Sequence, residues 1–287
     1  MNAAAPALVG ETCAVRPRVR NLATLYGVAL AAVVAYASAA EAGMGDSSVF
    51  LPLVAVFVAA AISSVAGFAF APISAVMLVW LIPEPVQMVA VILAASITIQ
   101  GFSVWALRRQ MAWRGCLRFL AGGLVTLPLG LLLLLTLSGH RHAMALGVLM
   151  VAYGGWMLLR PPVPPRTPPG WTAVLAGALG GVTGGMTGFP SAPVTVWGGI
   201  CGQGRVELRG ILQPFIFVMQ VASLLLLQVM APDRGAAAGF DPLLLLVVPP
   251  ALLGTLCGIG LYLRLSDMQF NRVVNLTLIV AGFGLLL

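Results

Sequence analysis

The sequence has very few charged side chains. Only 8% of its 287 residues are charged, and lysine is absent, so that all fifteen basic residues are arginine. A soluble globule of this length needs far more polar surface, which excludes a water-soluble fold. The net charge of +7 does not indicate nucleic-acid binding, because the arginines are scattered through short loops between apolar runs.

The chain also lacks the residue groups from which enzyme sites are built. It has no pair of acids within one apolar run, no phosphate-binding loop and no nucleophile elbow. Its two histidines, His140 and His142, flank Arg141 in a predicted short turn, where further metal ligands are missing. Four cysteines without metal-ligand spacing are predicted to be free thiols: Cys13, Cys116, Cys201 and Cys257. No catalytic residue, metal or cofactor is predicted.

Long apolar runs are what the sequence has in abundance. It is 60% hydrophobic with a mean hydropathy of +1.04, and a helix of about 20 apolar residues crosses a bilayer core. We therefore predict an all-α polytopic membrane protein that contacts the lipid bilayer. Beyond an N-terminal run, the predicted segments are 50–82, 86–107, 117–137, 143–159, 171–201, 207–230, 242–263 and 269–287.

Residues 1–49 are predicted to form a cytoplasmic tail and one extra transmembrane helix. Arg16, Arg18 and Arg20 precede an apolar run from Leu22 to Ala40 that ends in small residues. This arrangement also fits a cleaved signal peptide, but the run is longer than the usual signal core, which favours a retained helix. Both alternatives place the N-terminus in the cytoplasm.

A proline-rich linker at 161–170 divides the remaining segments into two sets, predicted as repeats at 50–160 and 171–287. The two sets resemble each other in sequence. Gly67-Phe68 and Pro72 match Gly188-Phe189 and Pro193 at an offset of 121. Gln100 and Ser103 match Gln220 and Ser223 at an offset of 120, and Gly154 matches Gly282 at 128. These matches indicate an internal duplication.

The leading segment of each repeat is long and is interrupted by glycine and proline. We predict that each is a re-entrant or broken-helix hairpin, followed by three transmembrane helices. With hairpins, thirteen arginines lie in the cytoplasm and two outside; with full crossings the numbers are eight and seven. The positive-inside rule therefore favours hairpins, and the odd number of crossings makes the second repeat inverted. We also predict that the protein is a multi-pass protein of a bacterial inner membrane.

The two interrupted segments are the predicted substrate site. Glycine permits an unwound backbone, and the half-helix that follows offers free N–H groups and a positive dipole end to an anion. Buried hydroxyls and two buried amides are candidate partners. The predicted substrate-binding residues are Ser63, Ser64, Gly67, Phe68, Gln100, Thr183, Thr187, Gly188, Phe189, Ser191 and Gln220.

Two alternatives to this site stay open. Gly177, Gly181 and Gly185 are spaced by four, so they also form a small-residue stripe suited to close helix packing. Packing does not account for glycine and proline at equivalent places in both repeats. For Gln100 and Gln220, an interhelical hydrogen bond explains burial as well as substrate contact does.

The duplicated glycine-rich, proline-terminated element and the basic loop Arg108–Arg114 resemble the TauE/SafE sulfite exporter-like transporters across residues 50–287. This resemblance implies transport of a small anion such as sulfite, a sulfonate or a related organic acid. We therefore predict a secondary transporter working by alternating access. The alternatives are an anion channel and a membrane-embedded assembly protein without transport. A homo-oligomer is left open.

Overall fold

The computed structural model describes residues 47–66, 69–108, 111–160, 163–231, 242–262 and 267–286, and these ranges are helical with no strand. The predicted N-terminal helix lies outside the described residues, and so do Gly67 and Phe68. The helices are α1 (Ser47–Ala66), α2 (Phe70–Leu78), α3 (Pro85–Leu107), α4 (Trp113–Thr136), α5 (Gly139–Leu159), α6 (Gly170–Thr187), α7 (Ser191–Ile200), α8 (Arg205–Met230), α9 (Pro242–Leu246), α10 (Val248–Tyr262) and α11 (Asp267–Leu286).

Four of the described helices are long and apolar enough to span a membrane: Pro85–Trp105, Trp113–Thr136, Gly139–Leu159 and Glu207–Met230. Shorter apolar helices cover Val49–Ser63 and Leu243–Gly258. The outer face of α4 exposes Val125, Leu129 and Leu132, a surface that lipid chains cover without the cost that water would impose. The predicted all-helical membrane fold is confirmed.

Helices α4 and α6 lie in close contact because both present glycine to the other. A Cβ on Gly177 would collide with the Phe119 carbonyl oxygen, and one on Gly130 would collide with the Val182 carbonyl oxygen. Residue numbers rise together along the two helices, so they run parallel. Thr126 adds a hydrogen bond from its Oγ1 to the Ala178 carbonyl, 2.6 Å away. The glycine stripe of α6 therefore packs against α4, as the packing alternative predicted.

Helices α5 and α11 form a second glycine-mediated pair. A Cβ on Gly147 would lie 2.8 Å from the Gly282 carbonyl oxygen, and one on Gly154 would lie 2.9 Å from that of Asn275. Because the numbers rise along one helix and fall along the other, the pair is antiparallel. Helix α1 packs on α10, and α3 packs on α8 near Gly101 and Phe217.

Helices α6 and α7 form a hairpin whose two open ends meet. The Trp197 indole N–H near the end of α7 donates to Thr172 Oγ1 at the start of α6 (3.0 Å). The Arg166 amide, in the linker before α6, donates to the Cys201 carbonyl just after α7 (2.9 Å). The chain therefore enters and leaves this hairpin on the same side.

Two local predictions need correction. The segment predicted as one helix at 242–263 is locally interrupted at Val247, because Pro249 and Pro250 lack the N–H groups that the carbonyls of the preceding turn require. Helical bonds still join Val247 to Leu243 and Ala251 to Val247. His142 was predicted in a polar turn but lies in the first turns of α5, where it is buried. Its Nε2–H donates to the Met186 carbonyl (2.9 Å), which ties α5 to the end of α6.

Candidate functional site

The tip of the α6–α7 hairpin is built around Gly188. Its φ of 72° ends α6 in the left-handed conformation, which glycine adopts without a Cβ penalty. Thr183 Oγ1 donates to the Phe189 carbonyl across the turn (3.2 Å). Gly184 leaves room for Pro190, since a Cβ on it would lie 2.8 Å from the proline Cβ. The sequence therefore dictates a tight reversal inside the bundle.

The first turn of α7 presents uncapped backbone amides beside this tip. No side chain caps the helix, and its first two N–H groups belong to Ser191 and Ala192, both buried. Pro193 occupies the third position, where it removes one donor that the helix could not have used internally. An uncapped helix start carries partial positive charge and suits an anion.

Gln220 reaches the tip from α8. Its side chain is buried, and its Nε2–H group donates to the Gly188 carbonyl at 3.4 Å. Its Oε1 is buried and accepts no hydrogen bond from the residues that the structure describes. An unsatisfied acceptor in an apolar interior costs about 1–3 kcal/mol, so this atom calls for a further partner.

Tyr153 of α5 is a further candidate residue, which the sequence did not indicate. Its ring packs edge-on against Phe189, with the centroids 5.2 Å apart. Its hydroxyl is buried, interacts with Thr195 of α7, and makes no hydrogen bond of good geometry with a described residue. A tyrosine within an apolar helix carries no sequence pattern, and only the fold brings it to a residue 36 positions away.

The hydroxyls of Thr183 and Thr187 bond to carbonyls within the α6–α7 hairpin. Thr187, buried at the end of α6, donates to the Thr183 carbonyl (2.7 Å). Thr183 itself is half-buried and also donates to the Leu179 carbonyl (3.1 Å). These bonds leave both hydroxyl oxygens as acceptors and engage their hydrogens within the hairpin.

The start of α2 in the predicted first repeat resembles the start of α7, but the side chains around it differ. Helix α2 is uncapped, its first amides belong to Phe70 and Ala71, and Pro72 again stands third. Ser63 is buried and donates to the Ala60 carbonyl (3.2 Å). Gly67 and Phe68, and the side chain of Ser64, lie outside what the structure describes. Ser74 and Thr195, related by the 121 offset, both bond back to their own short helix.

Gln100 lies where α3 meets α8. It precedes Gly101, whose Cβ position is 3.4 Å from the Phe217 ring. The side chain is buried, and its Oε1 accepts no hydrogen bond from the described residues. The matched amides Gln100 and Gln220 thus both leave an acceptor open next to the contact between these two helices.

The hairpin tip combines backbone donors, a tyrosine hydroxyl and an amide, all within the membrane-spanning bundle. No group of three His, Cys, Asp or Glu side chains is found among the described residues. The arrangement can bind a small anion through neutral dipoles and can release it again, which a buried ion pair would hinder. This construction, with broken helices inside a helical membrane protein, is typical of secondary transporters.

The comparison with known protein families also indicates a membrane transporter. The family model described as Sulfite exporter TauE/SafE matches residues 51–285, most of the chain, and the chain belongs to this family. Membership makes it a membrane anion exporter and confirms the resemblance seen in the sequence. No curated protein and no solved structure matches the chain.

Proposed function

We propose that this protein is a secondary transporter that moves sulfite, a sulfonate or a related organic acid across a bacterial inner membrane by alternating access. The single observation that carries the proposal is the junction at Gly188. There the reversal of a helix exposes the amides of Ser191 and Ala192 beside the incompletely bonded Gln220. The anion binds at this junction, with Tyr153 as a further hydrogen-bond donor.

The helix contacts support an inverted-repeat architecture. At the 128 offset, Gly147 corresponds to Asn275 and Gly154 to Gly282, so the two contacts of the α5–α11 pair map onto each other. Such an exchange within an antiparallel pair is what a twofold axis in the membrane plane produces.

A second set of contacts supports the same axis. The bond from Thr126 to the Ala178 carbonyl maps onto the contact of Gly254 with the Phe57 carbonyl, at offsets of 128 and 121. Helix pair α4–α6 then corresponds to α10–α1. The α6–α7 hairpin with its open ends together is the element that we propose to be re-entrant, and α1–α2 is its counterpart.

Alternating access follows from two broken helices related in this way. Movement of one repeat relative to the other opens the site to one side at a time. The interfaces that join the repeats are helix pairs such as α4–α6, α5–α11 and α3–α8, so these are the surfaces that shift. The positive-inside rule places the loop before α4 and the linker before α6 in the cytoplasm.

Ligand-induced stabilisation of the purified protein tests the site. Sulfite at about 100 times its dissociation constant should add about 2.7 kcal/mol to the stability of the folded state and raise the melting temperature. Tyr153→Phe should weaken sulfite binding about tenfold, since it removes one hydrogen bond to a charged ligand. The melting temperature without ligand should change little, because the hydroxyl has no well-formed bond to lose.

Two matched variants complete this test. Ser223→Ala removes a buried hydroxyl from the same helix as Gln220, but that hydroxyl bonds to the Met219 carbonyl and should not affect affinity. Thr187→Ala should have a smaller effect than Tyr153→Phe, because its hydrogen is engaged by Thr183. Equal sulfite affinity in the wild type, Tyr153→Phe and Gln220→Leu would show that the anion does not bind at the hairpin tip.

A further inference from the structure

The buried acceptors of the proposed site, Oε1 of Gln100 and of Gln220, receive no hydrogen bond from the residues that the structure describes. Gln220 Oε1 is enclosed by the bundle, and its own Nε2 is already used by the Gly188 carbonyl. A fully deprotonated anion has no hydrogen to offer such an atom, and its oxygens would be repelled by the amide oxygen. The acceptor therefore selects a ligand that carries an O–H group.

The same site also holds donors that require an acceptor. The amides of Ser191 and Ala192 begin an uncapped helix, and the Tyr153 hydroxyl has no well-formed bond. A ligand that satisfies both sets has anionic oxygens and one hydroxyl. A singly protonated oxyanion has this chemistry. It presents one negative charge instead of two to a site lined mainly by neutral groups, where the nearest influence of a cation is that of Arg160 on Tyr153.

In the described ranges, no acidic side chain lies in the middle of a helix, where it could carry a proton separately. Glu84 stands at the N-cap of α3, Glu207 in the first turn of α8, and Asp267 is the first residue of α11. His142 faces the Met186 carbonyl near the hairpin tip, and Arg160 lies against Gly199 at the far end of α7. Among the described residues neither is hydrogen-bonded to Gln220, so a proton that crosses with the anion travels on the anion.

We propose that the transported species is the singly protonated form of the oxyanion, recognised by Gln220 Oε1, and that one proton crosses with each anion. This inference rests on the proposed function and specifies its substrate. It would let a proton cross through a chain whose described spans have no acidic side chain in their interior. No bond is made or broken in the protein, and the proton leaves by dissociation from the anion after release.

The sign of the pH change inside loaded vesicles tests the proposal. Proteoliposomes containing the full chain are filled with sulfite and a pH dye, and the membrane potential is clamped with valinomycin and potassium. Export of hydrogen sulfite removes protons with the anion and makes the interior more alkaline. Export of the dianion leaves protons behind and makes it more acidic. Protein-free vesicles measure permeation of the neutral acid, which is subtracted.

The transport rate should also follow the concentration of hydrogen sulfite when pH is varied at constant total sulfite. Methanesulfonate, a monoanion without the hydroxyl, should compete poorly in the wild type. Gln220→Leu should lower the affinity for hydrogen sulfite about tenfold and bring it close to that for methanesulfonate, since the acceptor is gone. Ser223→Ala should keep the wild-type preference.

The outcomes separate the inference from the function on which it rests. Internal acidification, or a rate that follows the dianion, would overturn the protonated substrate while leaving anion transport in place. Equal competition by methanesulfonate in the wild type would overturn the role of Gln220. Sulfite flux no greater than in protein-free vesicles would overturn the proposed function itself. The wild-type measurements need no variant, so a folding defect in Gln220→Leu does not affect them.

Discussion

At the scale of single residues, Gly188 links a conformational requirement to the proposed anion site. Its positive φ reverses the chain between α6 and α7 and sets the start of α7 beside Gln220. The position was predictable, because glycine followed by proline in a membrane segment indicates a break. The contribution of Tyr153 and of the buried amide oxygens could not be predicted, since it depends on neighbours that are far away in sequence.

Gly188→Ala should destabilise the protein by about 1–2 kcal/mol, since a Cβ is disfavoured in the left-handed region. The added methyl would also lie 3.1 Å from Ile92 Cγ2. Gly155→Ala is the control: it lies within α5 with nothing within 4 Å of its Cβ position, and it should gain about 0.5–1 kcal/mol. Thermal unfolding in detergent measures both. Equal stability of the two variants would contradict the claim that the left-handed conformation at position 188 requires glycine.

At the scale of helices, the glycines of α6 contact two different partners, depending on the helix face on which they lie. Gly177 and Gly181 face α4, whereas Gly180 and Gly184 face Pro190 in the turn. Spacing alone predicted a stripe but not which partner it meets, because contact between α4 and α6 depends on how the whole bundle assembles. The break at Val247 could have been predicted from Pro249 and Pro250, which interrupt an otherwise uniform apolar run.

Gly177→Ala should be among the most damaging alanine substitutions in the chain. The added Cβ would collide with backbone atoms of Phe119 instead of a movable side chain, so the two helices would have to separate. We expect a loss of folded, monodisperse protein on gel filtration, with Gly155→Ala again as the control. A Gly177→Ala protein that elutes and melts like the wild type would show that α4 and α6 do not pack in this way.

At the scale of the whole molecule, the sequence predicted an all-helical membrane protein and its family, because hydropathy and the duplicated motif extend along most of the chain. The proposed inverted arrangement rests on the arginine distribution and on the paired contacts of α5 with α11. This arrangement predicts which loops are cytoplasmic and which are external. Arg114, exposed near the start of α4, should be cytoplasmic, and Arg141, exposed near the start of α5, should be external.

Single-cysteine labelling in intact cells tests that topology. After replacement of the four native cysteines, Arg141→Cys should react with an impermeant maleimide, whereas Arg114→Cys should react only after the cells are permeabilised. Arg114 lies at the start of α4 and Arg141 lies just beyond its other end, at the start of α5, so each is the control for the other. Reaction of position 114 in intact cells would reverse the predicted orientation.

Counterflow tests the central claim, carrier-type anion transport, most directly. Proteoliposomes are preloaded with unlabelled sulfite, and the uptake of radiolabelled sulfite is compared with uptake into empty proteoliposomes. A carrier that alternates between two open states predicts saturable uptake that is accelerated by sulfite on the opposite side. Uptake that rises linearly with concentration and ignores the internal sulfite would indicate a channel, and uptake equal to that of protein-free vesicles would contradict sulfite transport altogether.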